Sequence, residues 1–189
     1  MLLGIIAVLL VLLGIFLFRS SDSEMGLHDM GGMTGNQSSS ASMNSSEIMF
    51  SQMMIAHHEQ AVTMSELALK NSTNKEVLTL AAQIKAAQSP EIVLMKSWLD
   101  DVGAEYVMGH GTGMDGMLSD DEINVLKSAK GKTFDKLFLQ GMIAHHEGAI
   151  KMARMIEKSS NPEIKALHDA IVNSQSAEIN QMKAMLASL

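Results

Sequence analysis

The sequence predicts an all-α protein, a four-helix bundle built from two repeated αα-hairpins and preceded by a membrane-anchor helix. Three observations lead there. Phe50 to Met64 (FSQMMIAHHEQAVTM) and Phe138 to Met152 (FLQGMIAHHEGAIKM) match at ten positions with a constant offset of 88 (138 − 50). Such self-similarity is the mark of a repeated supersecondary unit. Apolar residues in both copies recur at steps of three and four, the helical period. Strand-like alternation is absent, and aromatic residues make up only 4% of the chain.

The first element is residues 1–19. Leu2 to Phe18 is unbroken apolar sequence, seventeen residues that as a helix span roughly 26 Å, slightly less than the ~30 Å hydrocarbon core of a bilayer. It reads as an uncleaved anchor, with a signal segment cleaved near residue 23 as the alternative. Arg19 follows the segment and favours a cytoplasmic C-terminal domain, but Asp22 and Glu24 beside it leave that bias small.

Residues 20–46 form a Ser/Gly/Asn-rich stretch that lacks the apolar content to repay its ordering entropy and is expected to be a flexible tether. Its Met25, His28, Met30 and Met33 therefore have no core to fill.

The bundle domain is expected over 47–188. Repeat one, 47–102, carries a first helix with Phe50, Met54, His57, Ala61, Met64 and Ala68 on one stripe. Its second helix opens at a Thr73/Glu76 capping-box spacing and runs through Val77, Leu80, Ile84 and Ile92, with a kink expected at Pro90. Residues 103–131 form a glycine-rich connection bearing Met108, His110, Met114 and Met117, which are expected, like the methionines and histidine of the tether, to pack against little and to serve as soft-metal ligands, followed by a short helix announced by Ser119 and Glu122. Repeat two, 132–188, has the equivalent stripe Phe138, Met142, His145, Ala149, Met152 and Ile156, and a second helix from Ser160/Glu163 through Ile164, Leu167, Ile171 and Ile179. After a one-residue slip, Gln88, Glu91, Ile92, Met95 and Leu99 align with Gln175, Glu178, Ile179, Met182 and Leu186. Each hairpin buries one face, and two such hairpins satisfy each other as a bundle.

Composition limits the chemistry. Fourteen basic against 21 acidic residues give a net charge of −7 with no basic cluster, which excludes nucleic acid as a partner. With no cysteine among 189 residues there is no thiolate site, disulfide or cysteine nucleophile. Soft-metal chemistry falls to the 18 methionines and seven histidines.

The histidine pairs His57-His58 and His145-His146 occupy the same place in both copies, with Met54 and Met142 three and four residues before them on neighbouring helical positions. Burying two adjacent imidazoles costs polar desolvation twice, and this sequence does so in each repeat. Imidazole with thioether is a donor mixture that selects Cu(I) over hard cations. Glu-x-x-His of di-iron bundles and His-Glu-x-x-His of metalloproteases are both absent. On spacing alone, Met64, Met95, Met152, Met155, Met182 and Met185 read as core packing. Glu59 and Glu147, which follow the pairs, either orient an imidazole or stand as solvated helix residues.

The twice-occurring MIAHHE followed by Ala and Met, with the trailing Gln and Glu-Ile of the next helix, resembles the domain-of-unknown-function 305 family over roughly residues 47 to 188. The resemblance implies a ferritin-like bundle outside the cytoplasm and, as in characterised members, Cu(I) or Ag(I) binding in copper tolerance. It carries ligand positions onto Met54, His57, His58, Met64, Met142, His145, His146 and Met152. The expected function is Cu(I)/Ag(I) sequestration or transfer without turnover, with silver a non-physiological substitute. Expected partners are metal ions, the membrane through the N-terminal segment, and a copper-transport protein. Two alternatives stay open: a metal-dependent oxidase, for which only Glu59 and Glu147 offer acid/base groups, and a structural or partner-binding bundle.

Overall fold

The computed structural model describes residues 43–106 and 114–189. The expected anchor, the methionines and histidine of the tether (Met25, His28, Met30, Met33), and Met108 and His110 of the connection lie outside the described residues. Among the described residues, no helix is long and apolar enough to cross a membrane.

The described chain is helical, with no strand among the described residues: α1 (Ser45–Asn71), α2 (Lys75–Asp101), α3 (Asp120–Ser128), α4 (Gly131–Ala153) and α5 (Pro162–Ser188), with one 3-10 turn at Arg154–Ile156 extending α4. The starts of the helices are fixed by short polar side chains satisfying the orphan N–H groups of the first turn. Asn44 and Glu47 form a capping box that opens α1 at Ser45, ahead of the expected boundary, and Ser119 with Glu122 forms the expected box at α3. The caps of α2 and α5 differ from expectation. Asn74 and Asn161, not Thr73 and Ser160, accept from the first-turn amides, while the Ser72 and Ser159 hydroxyls accept from the amides of the two asparagines at 3.0 and 3.1 Å. Asparagine is the stronger cap, and the serine two residues earlier is free to brace it. Pro90 lies inside α2, which continues unbroken to Asp101. Pro162 sits in the first turn of α5, where a missing N–H costs nothing.

α1 packs on α2, α4 packs on α5, and the two hairpins meet mainly through their first helices, α1 and α4. These run antiparallel: Phe50 and Met54 share a buried cluster with Ala149 and Met152, whereas Ala61 and Met64 share one with Phe134, Phe138 and Met142. The core thus divides into two apolar halves, one at each end of the bundle. Phe50, Phe134 and Phe138 are fully buried. At roughly 25 cal/mol per Å² of apolar surface, each such aromatic stabilises the fold by about 2–3 kcal/mol.

Candidate metal centre

His57 lies midway along α1 and His145 midway along α4, so the antiparallel crossing brings them together. Their ring centroids are 3.7 Å apart with an interplanar angle of 40°. All four histidines of the two pairs have no exposed surface. His58, expected on the flank of its helix, is as buried as His57, because α2 covers that flank; α5 does the same for His146.

The second helices supply carboxylates at this level. His58 Nε2–H donates to Glu91 Oε2 at 2.8 Å, and His146 Nε2–H donates to Glu178 Oε2 at 2.7 Å. A carboxylate only accepts, so each fixes the tautomer of its imidazole and leaves Nδ1 with the lone pair. A longer contact of 3.4 Å joins His57 Nε2 to the Asp115 carbonyl and has the same consequence. This is the arrangement by which outer groups aim histidine ligands. Glu91 and Glu178 take the role that sequence reasoning offered to Glu59 and Glu147. Those two pair instead with Lys96 and Lys183, half-exposed, at 2.7 and 3.1 Å. The signal that would have found the right pair was the repeat alignment itself, since Glu91 and Glu178 recur on the inward line of the second helices.

Among the described residues, five buried ring nitrogens have no hydrogen-bond partner: Nδ1 of His57, His58, His145 and His146, and Nε2 of His145. Leaving one such atom unpaired costs about 1–3 kcal/mol. Burial depresses the basicity of the central pair, so protonation does not relieve them. Desolvation, then the proximity of His58, lowers His57 from 6.5 to about 3. Desolvation, then His57 and His146, holds His145 well below the ordinary imidazole range. The central imidazoles are therefore neutral at physiological pH and offer lone pairs.

Among the described residues, no three His, Asp or Glu side chains converge to hold an ion by themselves. Donors of another kind stand in the adjoining layers. Met54, Met95 and Met152 belong to the apolar half on one side of the imidazoles, and Met64, Met142 and Met182 to the half on the other. The repeat relates the two trios residue by residue (142 − 54 = 88, 182 − 95 = 87, 152 − 64 = 88), each half drawing methionines from both copies. A donor set of neutral imidazoles and thioethers fits a soft monovalent cation. Of the connection, Met114 packs partly buried against the first of these halves, and Met117 lines a cleft between α3 and α4. Both have protein neighbours, contrary to the expectation that these methionines pack against little. Met155, expected in the core, is 37% exposed.

The sequence profile of the domain of unknown function DUF305 matches residues 47–186. A candidate secreted DUF305 protein from Streptomyces coelicolor has a similar structure, with a TM-score of 0.72, 32% identity, and coverage of 76% of this chain and 93% of that one. CopM in its Cu(I)-bound form matches with a TM-score of 0.65 and 34% identity, over 75% of this chain and 96% of that one. Similar structures of CopM hold Cu(II) and Ag. The uncharacterized protein L153 of Acanthamoeba polyphaga mimivirus is 43% identical over 53 residues, 28% of this chain and 35% of the viral protein's length.

Proposed function

The chain belongs to the DUF305 family, and from that premise we propose that it is a metal-binding protein of the bundle type that takes up Cu(I), with Ag(I) as a substitute, for sequestration or transfer in copper homeostasis. The observation that carries this reading is the layer of buried imidazoles whose unpartnered nitrogens lie between two thioether trios. His57, His58, His145 and His146 would supply nitrogen, and Met54, Met64, Met142 and Met152 sulfur. Met25, His28, Met30, Met33, Met108, His110, Met114 and Met117 would form weaker outlying positions. CopM, which has been crystallised with copper and with silver, lends the choice of ion.

The bundle is placed outside the cytoplasmic membrane, held by residues 2–18 or released after cleavage. Cytosolic thiols would compete for Cu(I), and a cysteine-free thioether site suits a compartment where thiols are scarce. Anaerobic titration of the full-length protein against a chromophoric Cu(I) chelator tests the reading. Binding tighter than micromolar is expected, with no response to Mg(II) or Ca(II). Binding no tighter than that, or abolished only when surface residues are changed, overturns it. A reporter enzyme fused after Leu189 tests location, and cytoplasmic signal would reverse it.

A further inference from the structure

The central imidazoles have no exposed surface, so an ion reaches them only if part of the protein moves. Separating the helices would open both apolar halves. The segment Met114–Leu118 belongs to no helix, and it lies directly over the histidines. The Asp115 carbonyl touches His57 Nε2. A Cβ on Gly116 would lie 2.3 Å from the Ala144 carbonyl oxygen, and one on Gly148 would lie 2.0 Å from that of Asp115. The segment is pinned by Gln60, whose amide donates to the Leu118 carbonyl at 2.9 Å and accepts from the Leu118 amide at 2.8 Å, and by an exposed ion pair between Lys151 and Asp115.

The seat is built into the difference between the repeats. At the aligned positions 53/141 and 60/148, repeat one has Met53 and Gln60, and repeat two has Gly141 and Gly148. Both glycines lie under the segment: a Cβ on Gly141 would lie 3.2 Å from the Leu118 side chain. Gln60, the counterpart of Gly148, is the clamp. On the far side of the segment, the cleft between α3 and α4, about 470 Å³, is lined by Gly116, Met117, Leu118 and Ala144, with Asp121 and Glu122 also on its wall. Met117 is the soft donor on that wall and is one residue from the backbone that covers His145.

We propose that Met114–Leu118 is the gate of the metal centre, and that a soft monovalent cation arrives through the α3–α4 cleft and passes from the Met117 thioether to the imidazoles as the segment lifts. The step exchanges ligands around an ion of unchanged charge, so no electron or proton donor is required. The proposal rests on the metal-binding reading above.

The test is anaerobic stopped-flow uptake by the full chain of Cu(I) supplied as its bicinchoninate complex, at concentrations where the protein, not chelator release, sets the wild-type rate. Gln60→Leu removes both clamping hydrogen bonds and should accelerate uptake roughly tenfold. Met117→Leu should slow it severalfold. Lys151→Ala, an exposed change, provides a second opening variant if Gln60→Leu disturbs folding. Uptake by the wild type with unchanged rates in all three variants overturns the gate alone. No uptake by the wild type overturns the gate and the metal reading together.

Discussion

The hydroxyl of Ser72, just past the end of α1, donates to the buried carboxylate of Asp135 in the first turns of α4 at 2.5 Å. The repeat produces the same clasp at the other end of the bundle, where Ser159 donates to Glu47 at 2.5 Å. Each hairpin thus satisfies a buried carboxylate of the other. Because removing one partner leaves a charged acceptor underpaired in the interior, Ser72→Ala and Ser159→Ala should each destabilise the fold by about 1–3 kcal/mol. The clasps are at opposite ends, so the double variant should lose about the sum. Urea denaturation followed by circular dichroism measures both, and losses within a few tenths of a kcal/mol would show that the clasps do not hold the hairpins together.

The depressed basicity of His57 and His145 sets the pH dependence of the metal-free protein. In the unfolded chain each imidazole binds a proton below about 6.5, whereas folded His57 does so only near 3, and folded His145 is also held well below its ordinary value. The unfolded state therefore binds more protons in this window, and stability is complete above pH 6.5 and falls as the pH drops toward 3. Each of the two histidines should contribute a loss of about 1.4 kcal/mol per pH unit once below the unfolded value. Denaturation at pH 7.5 and 5.5 should show the decline, and His57→Phe should reduce it by about half. A stability that does not change between those pH values would mean that the imidazoles are hydrated.

Glu91 and Glu178 are positioning groups, since each fixes the tautomer of an imidazole and leaves its Nδ1 free. Glu91→Gln and Glu178→Gln keep the shape but weaken the acceptor, and each should lower Cu(I) affinity by roughly tenfold or more while leaving the fold intact. Nitrogen NMR of His58 and His146 should show a mixed tautomer population in the variants. Glu59→Gln and Glu147→Gln, which alter surface pairs with Lys96 and Lys183, should change neither measurement.

Much of this arrangement was legible in the chain because repetition and helical period are local signals. The His-His pairs at offset 88 located the crossing of α1 and α4, and the stripes located the faces that meet there. What stayed hidden depended on neighbours distant in sequence. The Glu91 carboxylate reaches His58 across 33 residues; in the sequence it read as one of five aligned repeat positions, whereas Glu59, adjacent to the pair, drew the orienting role by proximity alone. Met95 and Met182 read as packing because spacing cannot say which layer of a core a thioether occupies. The asparagine caps were missed for a simpler reason: Thr73 and Ser160 offered the familiar box spacing, while Asn74 and Asn161 cap one residue later.

The two methionine trios yield the sharpest test of the metal reading. Met54, Met95 and Met152 lie in one apolar half, and Met64, Met142 and Met182 in the other, related by the same repeat that relates the histidines. Methionine and leucine have similar volumes, so each Met→Leu change costs less than about 1.5 kcal/mol and removes the sulfur without opening a cavity. If each half completes its own coordination set with the shared imidazoles, replacing either trio by leucine should remove about half of the silver held by the bundle. Replacing both should leave only what the histidines hold unaided. Elemental analysis after Ag(I) loading and desalting, with thermal melting as the check on folding, reads this directly. Loss of all bound silver from either single-trio variant would indicate one shared site spanning the imidazole layer. Retention of all of it in the double-trio variant would mean that the sulfur of these six methionines plays no part, and the preference for soft cations would then have no basis in them.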